Sequence, residues 1–298
     1  MTALDLGWQH HWQHQFIETN HVRLHYVTQG EGDLVILLHG FPEFWYSWRF
    51  QIPALARYFK VVAPDLRGYN DSEKPSSGYD LDTLATDIQG LIQKLGYLNA
   101  HVIGHDWGGT IAWHLAQLFP DSLNRLAILN APHPQRLRQL LLTSPEQWQR
   151  SWYLLAFQIP GLPEWVIRQN LPEFVKRVFQ DHAVRKGAFS TEDTQPYQTA
   201  LAKPGALAAA LNYYRQLFWS WLQQGARSLT PITAPTLVLW GEEDAFLSPA
   251  LLQGLESFVK APLQIQPIPH CGHWIQMEAP QTVNRALIEF LRGKSASP

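Results

Sequence analysis

The sequence predicts an α/β protein: a mostly parallel sheet with helices packed on both faces. Three observations carry that expectation. The runs Leu34–Leu38, Leu126–Leu129 and Thr236–Trp240 are almost continuously apolar, as strands buried on both faces must be. Segments with helical spacing separate them. A glycine-bracketed turn, Gly104 to Gly109, joins one such strand directly to a helix. At 298 residues the chain can form one large core plus an insertion, or two modest domains.

Taken in order, residues 16–19 and 22–27 flank Asn20-His21 and read as an antiparallel hairpin. The strand at Leu34–Leu38 ends in His39-Gly40-Phe41-Pro42. Val61-Val62-Ala63 is a short central strand closed by Pro64-Asp65 and the polar turn 67–72. Helical spacing runs through Leu81, Leu84, Ile88, Leu91, Ile92 and Leu95, with Tyr79-Asp80 at the start and Gly96 at the stop. A strand from Ala100, the glycine turn and a helix ending at Pro120 follow, then Leu126–Leu129 closed by Asn130-Ala131-Pro132. From about 133 to 227 the strand pattern disappears into a helical, proline-punctuated segment crowded with Trp, Tyr and Phe. Strands resume at 236–240 and 263–266. The expected division is therefore a core from 1–132 and 228–298, with an inserted helical lid at 133–227 over the carboxyl ends of the strands, where such sheets carry their active sites.

Charged residues make up 16% and aromatics 12%, including thirteen tryptophans, which points to an apolar interior and an apolar pocket. A net charge of −2 without a sustained basic run argues against nucleic acid or an anionic membrane as partner. The first thirty residues lack the apolar stretch of a signal segment, and no run approaches the roughly 18 apolar residues of a membrane span, so a cytoplasmic location is expected. Cys271 is the sole cysteine, which excludes an internal disulfide and a cysteine metal cluster; it reads as a small packing residue. Histidines 10, 11, 14, 21 and 25 have no carboxylate or Cys in ligand-like spacing, so no metal site is expected.

The chemistry concentrates at Gly104-His105-Asp106-Trp107-Gly108-Gly109. This is the G-x-S-x-G elbow with Asp106 in place of the serine. The central residue of such an elbow takes positive φ, and glycines around it remove collisions with the adjoining strand and helix. A carboxylate needs no base for activation at neutral pH and can displace a leaving group at saturated carbon, leaving an ester that water must hydrolyse. The competing reading is an Asp that merely caps the following helix. Downstream, Asp244 in Gly241-Glu242-Glu243-Asp244 and His273 in Pro269-His270-Cys271-Gly272-His273-Trp274 complete the order nucleophile, acid, base. Neutral His273 would take a proton from water while Asp244 holds its tautomer. Glu242 and Glu243 are expected to face solvent, and His270 to be structural. The N–H groups of Phe41 and Trp107 are expected to stabilise the oxyanion of ester hydrolysis.

The set His39-Gly40-Phe41-Pro42, the Asp106 elbow, Asp244 and Gly272-His273 resembles the soluble epoxide hydrolases of the α/β-hydrolase superfamily, over nearly the whole chain. The resemblance implies an eight-stranded, mostly parallel sheet, a cis Phe41–Pro42 bond, no cofactor, and a small hydrophobic epoxide and water as reactants, in a monomer or homodimer. It also implies two lid tyrosines that donate to the epoxide oxygen: Tyr214, in Leu211-Asn212-Tyr213-Tyr214-Arg215, and Tyr153, ahead of Phe157-Gln158-Ile159-Pro160-Gly161. His39, Pro42, Trp107 and Trp152 are expected to line the substrate pocket. Spacing alone does not choose between Tyr213 and Tyr214, since each lies on an apolar helical row. Haloalkane and haloacetate dehalogenases share the aspartate nucleophile. They differ where this chain has Phe41 instead of a halide-binding Asn, and Trp107 instead of an Arg after the nucleophile; Trp148 and Trp152 keep the halide reading open. A non-catalytic binding protein on the same fold is the alternative of another class.

Overall fold

The computed structural model describes residues 12–223 and 230–293. His10 and His11 lie outside them, as does part of the expected lid's carboxyl-terminal boundary.

Among the described residues eight strands form one sheet, in the order β1-β2-β4-β3-β5-β6-β7-β8. They are β1 (Gln13–Thr19), β2 (Val22–Gln29), β3 (Leu34–Leu38), β4 (Lys60–Pro64), β5 (Ala100–His105), β6 (Leu123–Leu129), β7 (Thr236–Gly241) and β8 (Leu263–Ile268). β1 pairs antiparallel with β2 and β2 with β4; every other pairing is parallel. The hairpin turns at Asn20-His21, both at positive φ. All side chains of β3 and β5 are buried; the unbroken apolar run of β3 follows from helices covering both faces, whereas β5 also buries His101 and His105. Truncating such a side chain, as in Leu37→Ala, removes about 2–5 kcal/mol.

Helices α1 (Gln51–Leu55), α2 (Leu81–Lys94) and α3 (Trp107–Leu118) belong to the core. Asp80 caps α2 by accepting the Thr83 N–H at 2.9 Å, and Gly96 ends the segment at φ 88°. Between β6 and β7 the described residues are mainly helical, with α4 (Pro134–Thr143), α5 (Pro145–Arg150), α6 (Tyr153–Ala156), α7 (Leu162–Gln169), α8 (Leu171–Lys176), α9 (Thr191–Ala202) and α10 (Ala206–Gln223). α11 (Ile275–Glu278) and α12 (Pro280–Leu291) close the chain. The insertion is tied to the core by Arg49 to Asp193 (2.7 Å) and by the hydroxyls of Tyr197 and Ser47 (3.0 Å).

The register aligns the carboxyl ends of five neighbouring strands: Leu38 lies opposite Gly104, His105 opposite Leu129, Leu129 opposite Leu239 and Gly241 opposite Ile268. The turns after β3, β5, β6, β7 and β8 therefore converge on one edge. Among the described residues, no helix is long and apolar enough to cross a membrane.

One expectation needs correction. His25 does have a carboxylate partner, with its Nδ1 2.6 Å from Asp65, and Asp71 completes a group that could in principle hold a metal ion. The partners are 40 and 46 positions away, beyond any local spacing pattern. Asp65 Oδ2 is already satisfied by His25, the Asn70 amide and the Asp71 N–H, so the group reads as a structural network.

Candidate active site

Asp106 sits between β5 and α3 at φ 50°, ψ −119°, a conformation strained for any residue with a side chain. Close packing allows it only because its neighbours are bare: a Cβ on Gly108 would collide with the Leu38 carbonyl, and one on Gly40 with the Asp106 side chain itself. Asp106 holds the N-cap position of α3, yet its side chain caps nothing. Its Oδ1 instead accepts the Phe41 N–H at 2.8 Å, and Oδ2 lies 3.6 Å from His273 Nε2. The Trp107 N–H opens α3, where the helix offers it no acceptor. The helix-cap reading is set aside by this geometry.

His273 Nδ1 faces Asp244 Oδ2 at 2.7 Å. Asp244 is fixed by three further donors: the Asn130 amide on Oδ2 (2.6 Å), and the N–H groups of Phe246 (2.8 Å) and Leu247 (3.0 Å) on Oδ1. Glu242 and Glu243 are exposed, and His270 is solvent-facing at φ 52° beside Glu243. Cys271 is buried, and burial pushes its thiol up to about 12, which leaves it inert.

The electrostatics follow from this enclosure. Burial pushes the Asp106 carboxyl up, but the hydrogen bond and charge of His273, the charge of His105 and the Phe41 N–H outweigh it and hold Asp106 below the usual carboxylate range. Asp244 is held down against burial by His273 and Asn130. For His273 burial works downward, while Asp244 and Asp106 together raise it to about 10.

The structure separates the two neighbouring tyrosines. Tyr213 is fully buried and its hydroxyl donates to the Arg67 carbonyl at 2.7 Å. Tyr214 packs edge-on to Trp107, with centroids 4.9 Å apart, and to Phe41 at 5.4 Å. Tyr153, from α6, stands 6.0 Å from Tyr214 and 6.2 Å from Phe246. Burial first, and then the charge of Asp106, raises both phenols above their ordinary value, so both are neutral donors.

Pro42 is buried behind a cis Phe41–Pro42 bond, and Trp107 is buried against Tyr214. Two residues expected in the pocket lining are placed differently. His39 has both nitrogens committed to backbone: Nδ1 donates to the Gly40 carbonyl (2.9 Å) and Nε2 accepts from the Leu66 N–H (3.0 Å). It braces the Phe41 turn from behind. Trp152 is 66% exposed and stands at the surface. Trp148 lies in an apolar groove on the insertion, of about 180 Å³, with Leu141, Leu154, Phe218 and Trp221.

Three supporting residues escaped the sequence reading. Asn130, at φ 38° after β6, also accepts the Gly241 N–H, and its position at a strand's carboxyl end was the available signal. Glu43 and His105 form a buried pair beneath the elbow at 2.7 Å. Glu43 also accepts from the Gly40 N–H and the Gln276 amide, while His105 Nε2 faces the His273 carbonyl at 3.0 Å. Both His105 nitrogens thus meet oxygen partners. Only the motif positions flanking the elbow and turn hinted at them.

Residues 33–280 match the family model described as alpha/beta hydrolase fold. The chain belongs to that family and, within it, to the epoxide hydrolases. It is 38% identical over 289 residues to human epoxide hydrolase 4, covering 93% of this chain and 77% of that one. It is 40% identical over 287 residues to the AB hydrolase superfamily protein YfhM of Bacillus subtilis, covering 94% and 98%. Among solved structures, a Bacillus megaterium epoxide hydrolase in complex with an inhibitor superposes with a TM-score of 0.86 at 34% identity, over 93% of this chain and all of that one.

Proposed function

We propose that the protein opens epoxides to vicinal diols through a covalent ester on Asp106. The observation that carries this reading is the pair of neutral phenols, Tyr153 and Tyr214, gathered at the Asp106 carboxylate. An ionised Asp106 oxygen attacks one epoxide carbon while the tyrosine hydroxyls donate to the ring oxygen as the carbon–oxygen bond breaks. The product is an alkyl ester with a neighbouring hydroxyl.

Hydrolysis of that ester uses the other side of the site. While Asp106 is ionised, two carboxylates hold the His273 proton, with the ring raised to about 10. Esterification removes the Asp106 charge and the hydrogen bond to it, so His273 yields its proton, which replaces the one the tyrosine gave to the ring oxygen, and becomes a base at neutral pH once the intermediate has formed. It then takes a proton from water, Asp244 stabilises the imidazolium, and the hydroxide attacks the ester carbonyl. Collapse of the tetrahedral intermediate breaks the bond to the ester oxygen, the imidazolium returns its proton to the departing alkoxide, and the diol leaves Asp106 as a carboxylate. The Phe41 and Trp107 N–H groups face the developing oxyanion, each contributing on the order of a hundredfold or more. The insertion 133–227 serves as the lid that carries both tyrosines and keeps the pocket apolar.

Dehalogenation from the same aspartate is the weaker reading. Trp148 faces the groove with Phe218 and Trp221, and Trp152 is exposed, so neither supports a halide beside Asp106. The test is direct: His273→Gln treated with styrene oxide and weighed intact should gain one epoxide mass, on the Asp106 peptide. An unmodified Asp106 peptide would sink the covalent route. The wild type should form diol, and halide release without diol from matched substrates would favour the dehalogenase.

A further inference from the structure

Glu278, the last residue of α11, is 5% exposed, and its carboxylate is used on two fronts. Oε1 accepts the Gly272 N–H at 3.1 Å, one residue before His273. Oε2 accepts the N–H groups of Val184 and Arg185, both at 2.9 Å, from the inserted segment between α8 and α9. The same segment reaches back: Arg185 donates to the Glu278 carbonyl (3.2 Å) and to the His270 carbonyl (2.9 Å). Gly272 must be bare for this approach, since a Cβ there would lie 2.8 Å from Glu278 Oε1.

The loop bearing His273 is therefore held on both sides of the histidine. His105 grips the His273 carbonyl from the core, at 3.0 Å, and Glu278 grips the Gly272 N–H while also bonding the insertion. One buried carboxylate is shared between the loop that carries the proposed base and the element that carries the proposed phenols. We infer that Glu278 is a positioning residue: it fixes His273 against Asp106 and makes that placement depend on the docking of the insertion.

The inference rests on the two-step mechanism above, and its signature is a split between the steps. Alkylation needs Asp106 and the tyrosines; ester hydrolysis needs His273 in place. In Glu278→Gln the side chain keeps its size but loses one acceptor oxygen and presents an NH2 to donors. Rapid-quench and intact-mass measurement with styrene oxide should show alkylation within about twofold of wild type. Hydrolysis should slow by about tenfold or more, a loss in keeping with misplacement of a catalytic group, so that the adduct accumulates in the steady state. Arg185→Met, which keeps the backbone N–H bonds to the Glu278 carboxylate but frees the His270 and Glu278 carbonyls, should slow hydrolysis by about threefold with alkylation unchanged, and it decides the matter if Glu278→Gln does not fold. Hydrolysis within twofold of wild type in the folded variants overturns the inference. So does an equal fall in both steps with a lowered Tm, which is what a purely structural role would give. The His273→Gln control separates the failures: no adduct there overturns the covalent mechanism itself, whereas an adduct there with unchanged hydrolysis in the variants overturns only the positioning role.

Discussion

Asp106 illustrates how little of a carboxylate's character is its own. Its strained backbone turns the carboxylate away from the helix it precedes and toward the Phe41 N–H, and the charges around it keep it ionised despite enclosure. Tyr153 and Tyr214 are the reverse case: the same enclosure keeps their protons on. Tyr153→Phe or Tyr214→Phe alone should slow alkylation by roughly 10²-fold, in the range expected for a lost proton donor. The double change should nearly abolish diol formation, with the circular dichroism spectrum retained. Turnover unchanged in the double variant would refute the role of the phenols. Tyr213→Phe, by contrast, loses a buried hydrogen bond to Arg67, and about 1 kcal/mol of stability.

At the scale of elements, the elbow works because β3 and β5 are parallel neighbours whose ends are in register, with Leu38 opposite Gly104. That register brings the Phe41 turn over Asp106, and it leaves no room for a Cβ at position 108 against the Leu38 and His39 carbonyls. Gly108→Ala should therefore cost about 1–3 kcal/mol as overpacking, measured by urea unfolding, and should depress turnover more than the stability loss explains. A variant of native stability and activity would show that the strand-to-helix junction relaxes freely. The motif residues of this junction were readable from the sequence because glycines at fixed offsets are what the geometry requires. Glu43, His105 and Asn130 were not, because each acts through a partner 62 to 168 positions away.

For the molecule as a whole, the coupled charges of the site make stability depend on pH. His273 is raised from 6.5 to about 10, so the folded state binds its proton more tightly than the unfolded chain. Its contribution is fully present below about pH 6.5 and is lost as pH rises toward 10. Asp106 and Asp244 are held below 3.8, so theirs is present above that value and lost in stronger acid. Urea unfolding at pH 6, 8 and 10 should show wild-type stability falling across this range, with a shallower decline in His273→Gln; parallel curves would contradict the linkage. The same scale holds the insertion in place, through Arg49 to Asp193, Tyr197 to Ser47 and the Glu278 contacts, all between segments distant in the chain.

What the sequence determined by itself was the alternation of buried strands and helices, the helical character of the stretch before β7, and the Asp106, Asp244, His273 order, because periodicity and turn chemistry are local properties. Helical spacing left two adjacent tyrosines open and the resemblance pointed to Tyr214, which the fold packs against Trp107 and Phe41; tertiary structure alone decided that His39 braces a turn with both its nitrogens and that Glu278 joins the insertion to the His273 loop. Those outcomes depend on which donors and acceptors meet across the folded interior, and a buried polar group takes whatever partner the packing brings within reach.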